Sequence, residues 1–246
     1  DLVKRLAQRL NEVMNYAVNS GIIEHNPLSG ITNAFQAAKK SHYPTLKPEE
    51  LPELMKSIRE ANIVHMTRLL ILWQLHTMVR PAEAAGTEWS EIDFKEKLWI
   101  IPAARMKKKI NDHIIPLSDS SIELLLELKE KTGAKKHVFD SVRTKSGHLN
   151  ESTVNVALKR MGYHGRLVAH GLRSLASTTL NDQGFDPDVI EASLSHKDKD
   201  QVRAAYNRAQ YIERRKVMMA LWSKHIEQAK TGSQEIGRRL AFIGTA

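Results

Sequence analysis

"KLWIIPAARMKKKINDHIIPLS", residues 97–118, is the stretch on which the fold turns. Two short apolar runs flank three consecutive lysines. That pattern reads as a β-hairpin, with strands in KLWIIPAARM and DHIIPLS and the turn at KKKIND. Nearly everything around it has helical spacing. LKPEELPELMKSIREAN places proline and acids in its first turns, where a helix tolerates or favours them. IVHMTRLLILWQLHTMV is long and apolar enough for a buried helix. Ser118 suits the N-cap of DSSIELLLELKEK, and Ser152 the cap of a helix running to about Met161. KHVFDS is a candidate third short strand. From His170 to about Lys230 the pattern is almost all helix, with Gly184 closing one helix and Pro187 inside the start of the next. The expected class is α+β: mainly α with a small antiparallel β-sheet.

Upstream, residues 2–17 carry Leu2, Leu6, Leu10, Val13, Met14 and Ala17 at helical spacing, with breakers at Gly21 and Pro27. A polar, basic connector follows, and a domain boundary is expected near residue 42. One or two helices cannot build an independent core. Residues 1–42 are therefore expected to be the end of a domain not otherwise present. Residues 43–230 form the main domain, and residues 231–246 a weakly periodic tail.

The chain of 246 residues holds 37 Lys and Arg against 28 Asp and Glu, a net charge of +9. Such an excess suits a partner rich in phosphate, because cations gain by displacing its counterions. Cysteine is absent, which excludes disulfides, zinc–thiolate sites and cysteine nucleophiles and fits a reducing cytoplasm. No apolar run approaches the roughly 18 residues of a membrane span.

Four separated clusters carry possible chemistry. In HTMVRPAEAAGTEW, Arg80 stands at a helix–helix junction, where its planar fork suits a phosphate or, more blandly, a pair with Glu83. The lysines of RMKKKINDH are either a solvated edge or a source of a general acid. In RLVAHGLRSLAST, His170 and Arg173 lie at i and i+3, on one helical face near a helix start. The arginine there repels a metal cation and favours an anion. Last, His196 sits in a polar break ten residues before Tyr206. A lone helical tyrosine is usually a half-buried core residue. Taken together, two arginines, a lysine, two histidines and a tyrosine describe a different possibility. Guanidinium groups neutralise charge building on a phosphodiester, and the positive field activates a phenol. No carboxylate cluster suited to magnesium accompanies them. The set supports metal-free phosphoryl transfer to tyrosine.

The ordered series R…K…HxxR…H…Y resembles the tyrosine recombinases, the phage-type integrases. The strings MVRPAEAAGTEWSEID, WIIPAARMKKKINDHIIPLS, AHGLRSLASTTLND and LSHKDKDQVRAAYNRAQYIERRKVMMALW resemble the subgroup carried by prophages and genomic islands. RLNEVMNYAVNSGIIEHNPLSGI resembles the end of that family's core-binding domain.

The resemblance implies a role for each position. Arg80 and Arg173 clamp the scissile phosphate, and Lys107 protonates the 5′-hydroxyl leaving group, with Lys108 as the alternative. His170 assists proton transfer, and His196, where some relatives carry tryptophan, hydrogen-bonds the phosphate. Tyr206, rather than the nearby Tyr211, attacks to give a 3′-phosphotyrosine link, while Glu83 supports the active-site helices. It also implies no cofactor, no metal, and a tyrosine recombinase catalytic-domain fold in residues 43–230. Implied partners are double-stranded DNA at attachment sites, a homotetramer on that DNA, and an accessory DNA-bending or excision factor. The implied location is the bacterial cytoplasm. A type IB topoisomerase-like enzyme and a DNA-binding regulator without catalysis are the competing readings.

Overall fold

The computed structural model describes residues 2–35, 43–106, 111–195 and 208–231, the first three of the last segment by backbone alone. The chain divides into two compact units, Asp1–His42 and Tyr43–Ala246. In the first, helix α1 (Leu2–Asn19) ends where Gly21 takes φ 70°. Asn26 then donates to Asn11 Oδ1 at 2.8 Å and Asn15 Oδ1 at 2.6 Å, folding the following turn back on α1. Leu2, Leu6 and Val13 are exposed, and Ala7 alone of α1 is buried.

The second unit is organised around α3 (His65–Thr77). Its run from Leu69 to Ile71 and from Trp73 to Thr77 is buried. A helix apolar on all sides belongs at the centre of a domain. Around it pack the short α4 (Pro81–Ala85), α5 (Asp119–Thr132) and α6 (Thr153–Leu158), and Arg68 of α3 donates to the Ile58 carbonyl of α2 (Leu51–Glu60) at 2.9 Å. Further along come α7 (Gly171–Asp182), α8 (Pro187–Ser193) and α9 (Arg208–Thr231). The last buries Met218, Met219, Trp222 and Ile226, a spacing of one face per turn. The Trp222 indole donates to the Leu75 carbonyl at 2.8 Å, pinning α9 to α3.

The sheet has three antiparallel strands in the order β1 (Ile92–Asp93), β2 (Leu98–Ile101) and β3 (His113–Pro116). Trp99 pairs with Ile115 and Ile101 with His113. The hairpin is therefore where the sequence places it, although β2 stops before Pro102, which cannot continue the ladder.

Two expectations are corrected. KHVFDS is not a strand. Val138 N–H donates to Thr87 O and Phe139 O accepts from Leu149 N–H, so this segment threads between loops by isolated bridges. The third strand lies instead at residues 92–93, closed by a turn in which Asp93 Oδ1 accepts from Lys95 and Glu96 N–H, both at 2.9 Å. Ser152 precedes α6 but does not cap it by its side chain; its hydroxyl donates to Asn150 Oδ1 at 2.7 Å. Ser118 does cap α5, accepting from Ser121 N–H at 3.2 Å. Among the described residues, no helix is long and apolar enough to cross a membrane.

Candidate active site

Arg80 is placed by backbone geometry. Helix α3 closes on Met78, which adopts the left-handed φ of 58° although it is fully buried. The chain reverses there, Val79 plugs the core, and Arg80 becomes the N-cap of α4, with Pro81 at its first position. Glu83 accepts twice from Arg80, at Oε2 from the backbone N–H (2.9 Å) and at Oε1 from Nη1 (2.7 Å). The Arg80–Glu83 pair foreseen as the bland reading therefore exists. It does not exhaust the fork, because Nη2 turns to the Ser195 carbonyl at 3.4 Å.

Arg173 meets the same loop from the opposite side. It is 3% exposed. Its Nη1 donates to the Met78 carbonyl and its Nη2 to the Leu194 carbonyl, both at 2.7 Å. Consecutive carbonyls, Leu194 and Ser195, thus accept from Arg173 and Arg80. The two guanidinium groups converge on the end of α8, where Ser195 takes φ 51° just before His196. Burial, and then the neighbouring Arg80 charge, push the Arg173 guanidinium down to about 10; Glu83 and Glu191 act in the other direction. It stays protonated at neutral pH. Holding two like charges together under a thin carboxylate complement makes the locus attractive to an anion.

His170 is the N-cap of α7, one turn before Arg173. A strap just after residue 42 fixes this end of the helix. The Tyr43 ring packs on the His170 ring with centroids 4.6 Å apart. Thr45 Oγ1 donates to the Gly171 carbonyl at 2.8 Å, and Pro44 O accepts from Val168 N–H at 3.3 Å. From beneath, Gln74 Nε2 on α3 donates to the Ala169 carbonyl at 2.7 Å.

The base of the hairpin is fastened separately. Arg105 Nε pairs with Glu91 Oε1 at 2.7 Å, and the Trp99 indole donates to Glu91 Oε2 at 2.9 Å. Arg105 Nη1 also donates to the Gly86 carbonyl, which ties the hairpin to the end of α4. Burial raises the Glu91 carboxyl, against the pull of Trp99 and Arg105.

Of the expected site residues, Arg80, His170 and Arg173 are brought to adjoining positions. Lys107, the alternative Lys108, His196 and Tyr206 lie outside the described residues. Tyr211, on α9, directs its hydroxyl to Asp188 Oδ2 at 3.4 Å. Two residues near the arginines escaped the sequence reading. His113 of β3 is 6% exposed, and burial, reinforced by the charges of Arg215, Arg173 and Arg80, pushes its imidazole down to about 3. Arg215 of α9 is equally buried, at 6%, and burial lowers it to about 10. His113 had a signal: it shares an inward face with Ile115 by strand alternation. Arg215 had none, since ERRK reads as a solvated run.

Comparison with known proteins gives a consistent result. The sequence profile described as the phage integrase family matches residues 44–213. Prophage integrase IntA of Escherichia coli K12 is 49% identical over 233 residues, 95% of this chain and 56% of the relative. The integrase of Enterobacteria phage P4 is 35% identical over 243 residues, 92% of this chain and 55% of that protein. The chain thus spans little more than half the length of these relatives. Among solved structures, a lambda integrase dimer bound to a COC′ core site aligns at TM-score 0.60 and 21% identity. That alignment covers 84% of this chain and 59% of that one. The integrase of mycobacterium phage Brujita aligns at TM-score 0.58 and 16% identity, covering 91% and 75%. These two show the same fold.

Proposed function

Because this chain belongs to the phage integrase family, we propose that it is the catalytic half of a site-specific DNA recombinase that works through a 3′-phosphotyrosine intermediate. One observation carries the reading: two guanidinium groups, on α4 and α7, converge on consecutive carbonyls beside the N-terminus of the helix that bears His170. In this reading Arg80 and Arg173 hold the non-bridging oxygens of the scissile phosphate. Glu83 keeps the Arg80 fork aimed. The Tyr206 oxygen attacks phosphorus, the bond from phosphorus to O5′ breaks, and Lys107 or Lys108 supplies the proton that leaves with the 5′-hydroxyl. His170 takes up or returns the tyrosine proton, and His196 donates to the phosphate. The ester energy stays in the tyrosyl link, so rejoining needs no nucleotide.

Residues 1–42 are assigned to the end of a core-binding domain and its linker, 43–230 to the catalytic domain and 231–246 to a tail. The partner is duplex DNA, acted on by four protomers in the bacterial cytoplasm, with an accessory bending or excision factor. Supporting this, lambda integrase with the same fold has been seen as a tetramer bound to a Holliday junction.

The test is a suicide duplex, nicked beside the crossover point and carrying a candidate tRNA-gene end. Wild-type protein is expected to leave an SDS-resistant adduct, and Tyr206→Phe none at unchanged DNA affinity. An adduct from Tyr206→Phe, with none from Tyr211→Phe, overturns the nucleophile assignment.

A further inference from the structure

Beneath the arginine pair lies a second polar group that the chemistry above does not use: His113 on β3, Ser193 at the end of α8 and Arg215 on α9. All three are buried. Arg215 Nε donates to Ser193 Oγ at 2.9 Å, and Ser193 Oγ donates to the Val189 carbonyl at 3.0 Å. The His113 ring lies close enough to the Ser193 backbone for that backbone to favour the protonated ring, against the pull of burial. Three arginines bear on that ring, and a charged imidazole would add a fourth cation. Histidine, unlike lysine, occupies such a place as a neutral ring.

A neutral imidazole carries a proton on one nitrogen and a lone pair on the other. His113 Nε2 has no hydrogen-bond partner among the described residues, and neither does Arg215 Nη2. Among the described residues, one nitrogen of His113 and one of Arg215 are thus left over in this buried group.

Chain connectivity gives the group its meaning. His113 follows Lys107 by six residues, Ser193 precedes His196 by three, and Arg215 follows Tyr206 by nine. We propose that His113, Ser193 and Arg215 form a positioning triad that fixes the bases of these three segments relative to Arg80 and Arg173. Resting on the recombinase reading, the proposal assigns His113 the orientation of the lysine-bearing hairpin. Ser193 and Arg215 hold the end of α8 against the helix that follows the tyrosine.

The test uses the full chain and two suicide duplexes, one with the natural O5′ and one with sulfur in its place. A thiolate leaves without a proton, because thiol pKa values lie far below those of alcohols. Loss of the general acid is therefore masked on the sulfur substrate, where the P–S bond breaks with its electron pair on sulfur. Lys107→Ala and Lys108→Ala identify the acid. That lysine variant and His113→Gln should both slow the oxygen substrate by about tenfold or more and return to within about threefold of wild type on sulfur. His113→Gln equally slow on both substrates, or as fast as wild type on oxygen, overturns its part.

Ser193→Ala should slow both substrates by a similar factor at unchanged DNA affinity, with the protein still fully folded at the assay temperature despite a lower melting temperature from the unpaired Arg215 Nε. Wild-type rates, or a loss matched by weaker binding, overturn the triad. Should neither lysine variant be restored by sulfur, the acid role fails instead, and Ser193→Ala decides the triad alone. The same holds if His113→Gln does not fold.

Discussion

Gly171→Ala probes how the strap at 43–45 seats His170, the residue proposed to move the tyrosine proton. Gly171 opens α7 outside the left-handed region, so alanine meets no backbone strain there. The obstacle is steric. A Cβ at 171 would stand 2.1 Å from the Pro44 carbonyl oxygen and 3.1 Å from Leu167 Cδ1, where real Cβ atoms keep at least 3.0 Å from any neighbour. The strap must therefore retreat by about 1 Å, in an interior that does not yield smoothly. That movement forfeits the Thr45 bond to the Gly171 carbonyl and the Val168 bond to Pro44. Each contributes about 1 kcal/mol. Loss of the Tyr43–His170 ring contact adds about 0.5 kcal/mol. Alanine's helix propensity returns less than about 1 kcal/mol. The net loss is about 2 kcal/mol, or roughly 4–8 °C in melting temperature for a domain of this size. Cleavage should fall about tenfold, because His170 moves with the strap. Thermal scanning and suicide-substrate kinetics read the two effects. Unchanged melting together with unchanged cleavage refutes the claim that the strap is seated on this helix end.

Two further outcomes test the frame around the site. Arg105→Ala leaves the Glu91 carboxylate buried with its ion partner gone and should destabilise by about 3 kcal/mol, seen as a lower urea midpoint at unchanged slope. The second concerns acid. His113 has a folded pKa of about 3, below its unfolded value of 6.5, so its contribution is complete above 6.5 and is lost as pH falls toward 3. His113→Gln should flatten the stability curve in that window by about 1.4 kcal/mol per pH unit, measured by urea melts at successive pH values. Parallel curves for the two proteins contradict the buried, neutral imidazole.

Much of the fold was readable because its elements are locally encoded. The hairpin, the buried α3, the Ser118 cap and the Pro187 helix start each depend on a few neighbouring residues. The third strand was not, because two residues at 92–93 become a strand only through the neighbour they pair with. KHVFDS has strand-like composition, yet its hydrogen bonds go to loops distant in sequence. At the site, Arg80, Glu83, His170 and Arg173 stood out by type and spacing, since two of them share a helical turn and two a helix junction. What sequence could not give was which polar groups lie inside. Arginine is mostly a surface type and histidine an intermediate one, and only the packing of α9 on α8 and β3 puts Arg215 and His113 inside. The same holds for Met78, whose left-handed turn no residue type announces.

The central claim is that a tyrosine hydroxyl forms a bond to phosphorus at the arginine pair. Mass spectrometry of the trapped protein–DNA adduct, after proteolysis and nuclease digestion, addresses it directly. The expected result is a single modified peptide with a 3′-linked nucleotide on Tyr206, lost when Arg80 or Arg173 is replaced by alanine. A nucleotide on Tyr211, or an adduct that survives both arginine substitutions, would contradict it.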